Sequence, residues 1–329
     1  MKEKFETVNL DRIRTISLGG RKSLASAEKL AGIPPLTGAD RFFENLPGFL
    51  KANDFKALIK AVVTARHRNK PVIVMAGGHL IKVGLNPVVI DLMNQGLISG
   101  LCLNGAGIIH DSEIAMVGKT SEDVAAGIGD GSFGMSAETS KLFNSVVQLA
   151  QSEKIGLGEA AGVILDRRSN RYRRHSLLAA CHRLGLPAMI HIAVDTDIVC
   201  QHPGYDAGAA AEASHHDFKL LAHQISLGEN GGVFINIGSA VILPEVFLKA
   251  LTVARNIYGR PHKIVTANFD MISHYRPAVN VVHRPTLQGG AGYNFVGHHE
   301  LMIPLLAWGL KAAYKRKSKP AHKAARKRS

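Results

Sequence analysis

Residues 74–84, VMAGGHLIKVG, and residues 102–111, CLNGAGIIHD, each run from a string of apolar side chains into a glycine-rich break. A buried parallel strand reads as a near-continuous apolar run, and glycine directly after it lets the backbone turn sharply or approach a ligand closely. Between the two lies NPVVIDLMNQG, residues 86–96, with apolar residues at helical spacing. The unit therefore reads strand, helix, strand, and its strands are expected to be parallel.

The same alternation extends on both sides. NDFKALIKAVVTARHR (53–68) reads as a helix before KPVIVMAGG (70–78). Later come the helix RRHSLLAACHRLG, the strand LPAMIHIAV, the helix HHDFKLLAHQISL, the strand GGVFINIGSAVI and the helix LPEVFLKALTVARN. HKIVTANFD and AVNVVHRPT read as further strands, and HHELMIPLLAWGLKAAYK as a closing helix. The expected fold is α/β, a doubly wound, mainly parallel sheet with helices on both faces.

Residues 1–50, with IPPLTG and NLPGF, read as an irregular N-terminal arm carrying one or two short helices, residues 51–312 as the α/β domain, and residues 313–329 as a basic, disordered tail. With 329 residues, 46% hydrophobic and 20% charged, the chain can bury a full core. Eight of its forty Lys and Arg fall in the last fifteen residues, so much of the +14 net charge is tail, where it either stays solvated or meets nucleic acid. Three cysteines without CxxC spacing support neither a disulfide framework nor a thiolate zinc site, which fits a reducing cytoplasm. The charged N-terminus lacks the apolar core of a secretory signal, and no uncharged apolar run reaches the ~20 residues that span a bilayer.

In doubly wound sheets ligands bind outside the carboxyl ends of the strands. The segments expected there are AGGH, NGAG, HPGYDAG, GSA and PTLQGGAGYN, and their glycines suit a nucleotide site, although GxGxxG itself is absent. Several of the sixteen histidines sit in or near these ends: His79, His110, His202, His215, His216, His298 and His299. Histidine suits proton transfer and metals alike, but no HExxH appears. His110, next to Asp111, reads equally as a catalytic residue or as a strand-end imidazole bonded to backbone. GKTSEDVAAGIGDGSFGM, residues 118–135, opens with a Thr120–Asp123 capping box and reads as a lid or as a long loop with one helix.

NPVVIDLMNQGLISGLCLNGAGIIHD, LGLPAMIHIAVDTDI with YDAGAAAE, VFINIGSAVILPEVFLKA, and AVNVVHRPT with GGAGYNFVGHHE resemble, in that order, motifs of the deoxyhypusine synthase family over about residues 50–306. The resemblance implies that family's NAD-binding fold, a homotetramer, oxidation of spermidine by NAD, and transfer of its aminobutyl group through a lysine to an amine acceptor such as a protein lysine. Carried over, Gly77, Gly78 and His79 lie near the nicotinamide nucleotide, and Asn104, Gly105, Ala106 and Gly107 form a phosphate turn. Asp111, Asp206, Gly238, Ser239, Thr286 and Gly290 are further cofactor contacts. His110, Asp206 and Glu300 are catalytic candidates, Glu300 gripping a polyamine nitrogen. A gapless alignment puts Leu306 at the imine-forming lysine, and WGLK offers Lys311 five residues on. Two other readings stay open: a metal-dependent hydrolase built on the His and Asp clusters, and a nucleotide-binding protein without turnover whose tail holds nucleic acid.

Overall fold

The computed structural model describes residues 10–26, 42–43, 45–167 and 169–318. Helix α1 (Leu50–His67) buries Phe55, Leu58, Ile59, Val62 and Val63 at helical spacing and delivers the chain into β2 (Val72–Ala76). Val72, Val74 and Ala76 join the core that holds α1, whereas Ile73 and Met75 join the core on the opposite face. All five residues are buried, as expected of a central parallel strand.

Next in chain order come α2 (His79–Lys82), α3 (Asn86–Asn94), β3 (Gly100–Asn104), α4 (Gly105–Val117), β4 (Lys119–Glu122) and α5 (Val124–Asp130). They are followed by α6 (Ala137–Glu153), α7 (Leu157–Leu165), α8 (Leu177–Leu184), β5 (Ala188–His191), α9 (Ala207–Ser226) and β6 (Val233–Ile237). Helix α10 (Ile242–Tyr258), β7 (Val265–Asp270), β8 (Ala291–Val296) and α11 (His299–Ser318) complete the sequence. Six strands form one parallel sheet in the order β5-β3-β2-β6-β7-β8. The order is that of a doubly wound dinucleotide fold, and its direction reverses between β2 and β6. Helices α9 and α10 contribute Leu221, Ile225, Phe247 and Leu251 to the core on one face, and α1, α3 and α11 pack on the other.

Three segments depart from the sequence reading. The arm is not wholly irregular: Ser23–Ser26 form β1, antiparallel to β4, and fully buried Leu18 donates its N–H to Glu138 Oε2 at 2.7 Å. AVNVVHRPT is helical, a π-helix over Pro277–His283 and a 3-10 turn over Arg284–Thr286. Proline is tolerated in a first helical turn, and Asn280 is drawn in by a 2.8 Å bond to Glu245 on α10, so the valine pattern does not form a strand. Finally, α11 runs through Ser318, six residues into the stretch read as tail; residues 319–329 lie outside the described residues.

Asn236, Asn268 and Asn294 sit in register on β6, β7 and β8. Asn236 Nδ2 donates to Asn268 Oδ1 at 2.7 Å and Asn268 Nδ2 to Asn294 Oδ1 at 2.8 Å. Asn236 Nδ2 also donates to Ser239 O at 2.9 Å, fixing the loop that follows β6.

Asp217 on α9 is buried, with Oδ2 accepting from Gly158 N at 2.9 Å and Ile190 N at 2.8 Å. Burial drives its carboxyl up to about 7, so the protonated form is favoured in the fold. Its contribution is complete below the unfolded value near 4 and is lost as pH rises through about 7. Asp217→Asn keeps an oxygen for both donors without burying a charge. It is expected to match the wild type near pH 4 and to exceed it by roughly 2 kcal/mol at pH 8 in denaturant titrations.

Candidate functional site

At the reversal of strand order, the turn after β2 meets the turn after β6. Gly77 N donates to Ile237 O at 3.0 Å, and a Cβ on Gly77 would lie 2.4 Å from Gly238 O, so the two turns touch through glycine. Gly238 has φ +62°, and a Cβ there would meet the His299 ring at 2.7 Å. His299 is fully buried; its Nε2 donates to Phe269 O at 3.1 Å, and its Nδ1 has no protein partner. The His79 and His299 rings lie 5.2 Å apart. Burial and then the His299 neighbour hold His79 below its ordinary pKa, favouring the neutral ring. Glu300 is exposed beside this cluster, 3.8 Å from His298.

Next to the reversal opens a cleft of about 360 Å³, bounded by α2 and α4, by β4 and α5, by the loop that follows β5 and by the arm. It falls within the ~300–1,000 Å³ range of small-molecule sites. A Cβ on Gly78 would come 2.7 Å from His110 Cδ2, so His110 stands between the reversal and the cleft.

His110 is oriented from behind. Its Nδ1 lies 2.7 Å from Thr120 Oγ1, and that hydroxyl donates to Glu113 Oε2. Glu113 is buried and also receives Arg21 at 2.8 Å and Thr139 Oγ1 at 3.1 Å. Because the threonine proton goes to the carboxylate, the network assigns the imidazole proton to Nδ1 and leaves Nε2 an acceptor. Burial, followed by the charges of Lys82 and Arg21, pushes His110 down to about 3. The ring is thus neutral at physiological pH, and Glu113 at 4.0 Å does not make an ion pair with it.

The turn Asn104–Gly107 is occupied by the protein itself. Asn104 caps α4, its Oδ1 accepting from Gly107 N at 2.9 Å. Asp197 lays its carboxylate over Gly105, where an added Cβ would fall 1.8 Å from Oδ2. Gly105 therefore makes room for a side chain of this chain, and the space expected to hold a phosphate contains a carboxylate.

Four other expected residues are placed away from the cleft. Asp111 is fully buried, accepting from Ser176 Oγ at 2.6 Å, Leu177 N at 2.8 Å, Leu178 N at 3.0 Å and Asn86 Nδ2 at 3.1 Å. It anchors the start of α8 rather than facing a cofactor. Asp206 is exposed and caps α9 through Ala209 N at 2.9 Å. Thr286 and Gly290 precede β8 and so lie at the amino edge of the parallel sheet, opposite the cleft. Gly290 serves backbone packing there, since a Cβ would meet Ile264 O at 2.2 Å.

Lys311 is buried on α11 with its Nζ 2.7 Å from Asp91 Oδ2 on α3. An ammonium held by a carboxylate is a poor nucleophile, so Lys311→Met is expected to leave turnover within about twofold while costing on the order of 3 kcal/mol of stability. Steady-state rates and urea titration of the same sample test both halves.

Sequence reasoning missed Arg21, Lys82, Glu113 and Thr120. Glu113 was accessible, lying three residues beyond His110 on one helix face; Thr120 was assigned as a cap, but Asp123 caps α5 through Ala126 N at 3.3 Å. Among the described residues no three His, Cys, Asp or Glu side chains converge as metal ligands, and no helix is long and apolar enough to cross a membrane.

No family model matches the chain, and no curated protein matches its sequence. Solved structures do resemble it. AgrE in a ternary complex with ornithine and NAD+ is 14% identical, with a TM-score of 0.51 over 80% of this chain and 33% of that chain. A conserved candidate LOR/SDH protein from Methanococcus maripaludis S2 is also 14% identical, with a TM-score of 0.51 over 81% of this chain and 71% of that one. A candidate deoxyhypusine synthase from Entamoeba histolytica is 9% identical over 80% and 89% of the two chains, at a TM-score of 0.48 that carries no weight. The chain spans about a third of the length of AgrE. The likeness is one of fold: the α/β architecture is shared with AgrE and the LOR/SDH protein, without membership in the deoxyhypusine synthase family being shown.

Proposed function

We propose that this chain is an NAD-dependent enzyme acting on a small amine, with the nucleotide at the β2/β6 reversal and the amine in the adjoining cleft. The observation that carries the reading is His110, oriented by Thr120 and standing between the reversal and the cleft. Support for the cofactor comes from the strand order, which puts a ligand crevice at the reversal. The partnerless Nδ1 of buried His299 adds an acceptor suited to a hydroxyl or amide of a nucleotide. His79, Gly77, Gly78, Gly238 and Ser239 would hold it; the Asn104–Gly107 turn, covered by Asp197, is not assigned to its phosphates.

NAD supplies a hydride acceptor when bound. The chain's own part is to hold the amine near Asp197 and to accept a hydrogen bond from the substrate at His110 Nε2, an acceptor kept free by the bond from Nδ1 to Thr120. With Lys311 held by Asp91, no enzyme lysine is assigned to carry a transferred group. Aminobutyl transfer from spermidine, which the sequence resemblance implies, then requires direct capture by an amine acceptor.

The test mixes the chain with NAD and a panel of amines, including spermidine with and without an amine acceptor, and follows NADH absorbance. Amine-dependent NADH supports the reading, and spermidine-dependent product on the acceptor extends it to transfer. NAD binding with no NADH from any amine contradicts it.

A further inference from the structure

We infer that the cleft selects a zwitterion, a molecule carrying one ammonium and one carboxylate, with Lys82 anchoring the carboxylate and Asp197 the ammonium. This deepens the reading above and rests on its placement of the substrate in the cleft.

Five charged side chains line the cavity: Arg21, Lys82, Glu113, Glu122 and Asp197. Arg21 is neutralised where it stands, 2.8 Å from Glu113 Oε2 and 3.4 Å from Glu122 Oε1, with its side chain 5% exposed. The cluster, one cation against two carboxylates, keeps one net negative charge, and outside it stand one cation, Lys82, and one anion, Asp197. Among the described residues neither Lys82 nor Asp197 has an ion-pair partner.

Asp197 receives a single hydrogen bond, from Ala193 N at 3.0 Å, and burial raises its carboxyl above the ordinary range. A mostly buried carboxylate without a cation is costly, and an ammonium ligand removes that cost. Lys82 is exposed at the cavity wall, so its ammonium is free to swing onto a carboxylate. The remaining wall is largely apolar, with Ile109, Val124, Phe133 and Ile198. A diamine would set one ammonium against Lys82, and a monoamine would leave Lys82 unused.

The test is calorimetric titration of the full chain, without NAD, using five-carbon probes: norvaline, 5-aminopentanoate, pentylamine, pentanoate and cadaverine. At least one of the two zwitterions is expected to bind roughly tenfold or more tightly than the three other probes, the scale of one well-placed charge pair. Lys82→Glu is expected to invert the order, so that cadaverine binds best. Asp197→Asn is expected to erase the advantage of the zwitterion over pentanoate. The inference is overturned if no probe binds, if cadaverine or pentylamine matches both zwitterions in the wild type, or if Lys82→Glu leaves the order unchanged. Lys82 is exposed, so that variant and the wild-type series decide the matter even if Asp197→Asn does not fold. NAD binding, titrated separately on the same samples, reports on the enzymatic reading alone.

Discussion

Asp111→Ala is expected to lower the unfolding free energy by about 3–5 kcal/mol, measured by urea titration at pH 7. Four donors converge on this one carboxylate: Ser176 Oγ, the N–H groups of Leu177 and Leu178, and Asn86 Nδ2. Burial pushes its carboxyl up to about 6 against the pull of those donors, so it is ionised at pH 7 and its loss leaves the buried donors stranded. Asp111→Asn does not rescue the site, because the amide turns two more donors toward donors; about 2–3 kcal/mol is expected to be lost. The exposed helix cap Asp206→Ala is the control, with an expected cost of about 1 kcal/mol. Similar costs for Asp111→Ala and Asp206→Ala would remove Asp111 from the frame that supports His110.

His110→Ala is expected to reduce NAD-dependent turnover by roughly tenfold to a hundredfold, the scale of one hydrogen bond to a charged group, while leaving NAD affinity within a few fold. Thr120→Val removes the acceptor that orients the ring but not the ring itself, so a smaller loss is expected. The pH dependence is specific. An ordinary histidine gains its proton near 6.5, whereas His110, held at about 3 by burial and by Lys82 and Arg21, stays neutral throughout pH 5–8. Steady-state rates in that window are therefore expected to show no fall on acidification that disappears in the His110 variant. A descending limb near pH 6.5 that moves with Thr120→Val would contradict the assigned burial and hydrogen bonding.

The central strands and their glycine turns were legible because β2 and β3 are apolar on both faces and stop at Gly77 and Asn104–Gly105. A one-dimensional pattern is sufficient for such elements. The edge was harder. AVNVVHRPT has the valines of a strand, and only its contact with α10 and the bond from Asn280 to Glu245 makes it helical, which moves Thr286 and Gly290 to the amino edge. His110 and Asp111, adjacent in sequence, face different surroundings for a geometric reason. Adjacent residues on a helix point about 100° apart, so the side chain that faces the cleft and the one that enters the core are neighbours. Glu113, almost a full turn on, shares the His110 face. Arg21 lies beyond any local rule, because the arm reaches the cleft through pairing of β1 with β4, the Ile16–Ser136 bridge and burial of Leu18. The Asn104–Gly107 turn was recognisable as a turn, but Asp197, ninety-two residues after Gly105, determines what fills it.

The most direct test of the cofactor site is calorimetric titration of NAD into the wild-type chain, Gly238→Val and Thr286→Val. A side chain at Gly238 intrudes on His299 and the reversal, whereas Thr286 lies at the opposite edge of the sheet. Saturable binding is predicted for the wild type and Thr286→Val, with a loss of about tenfold or more for a folded Gly238→Val. No saturable binding to the wild type, or a loss confined to Thr286→Val, would contradict the placement of NAD at the β2/β6 reversal.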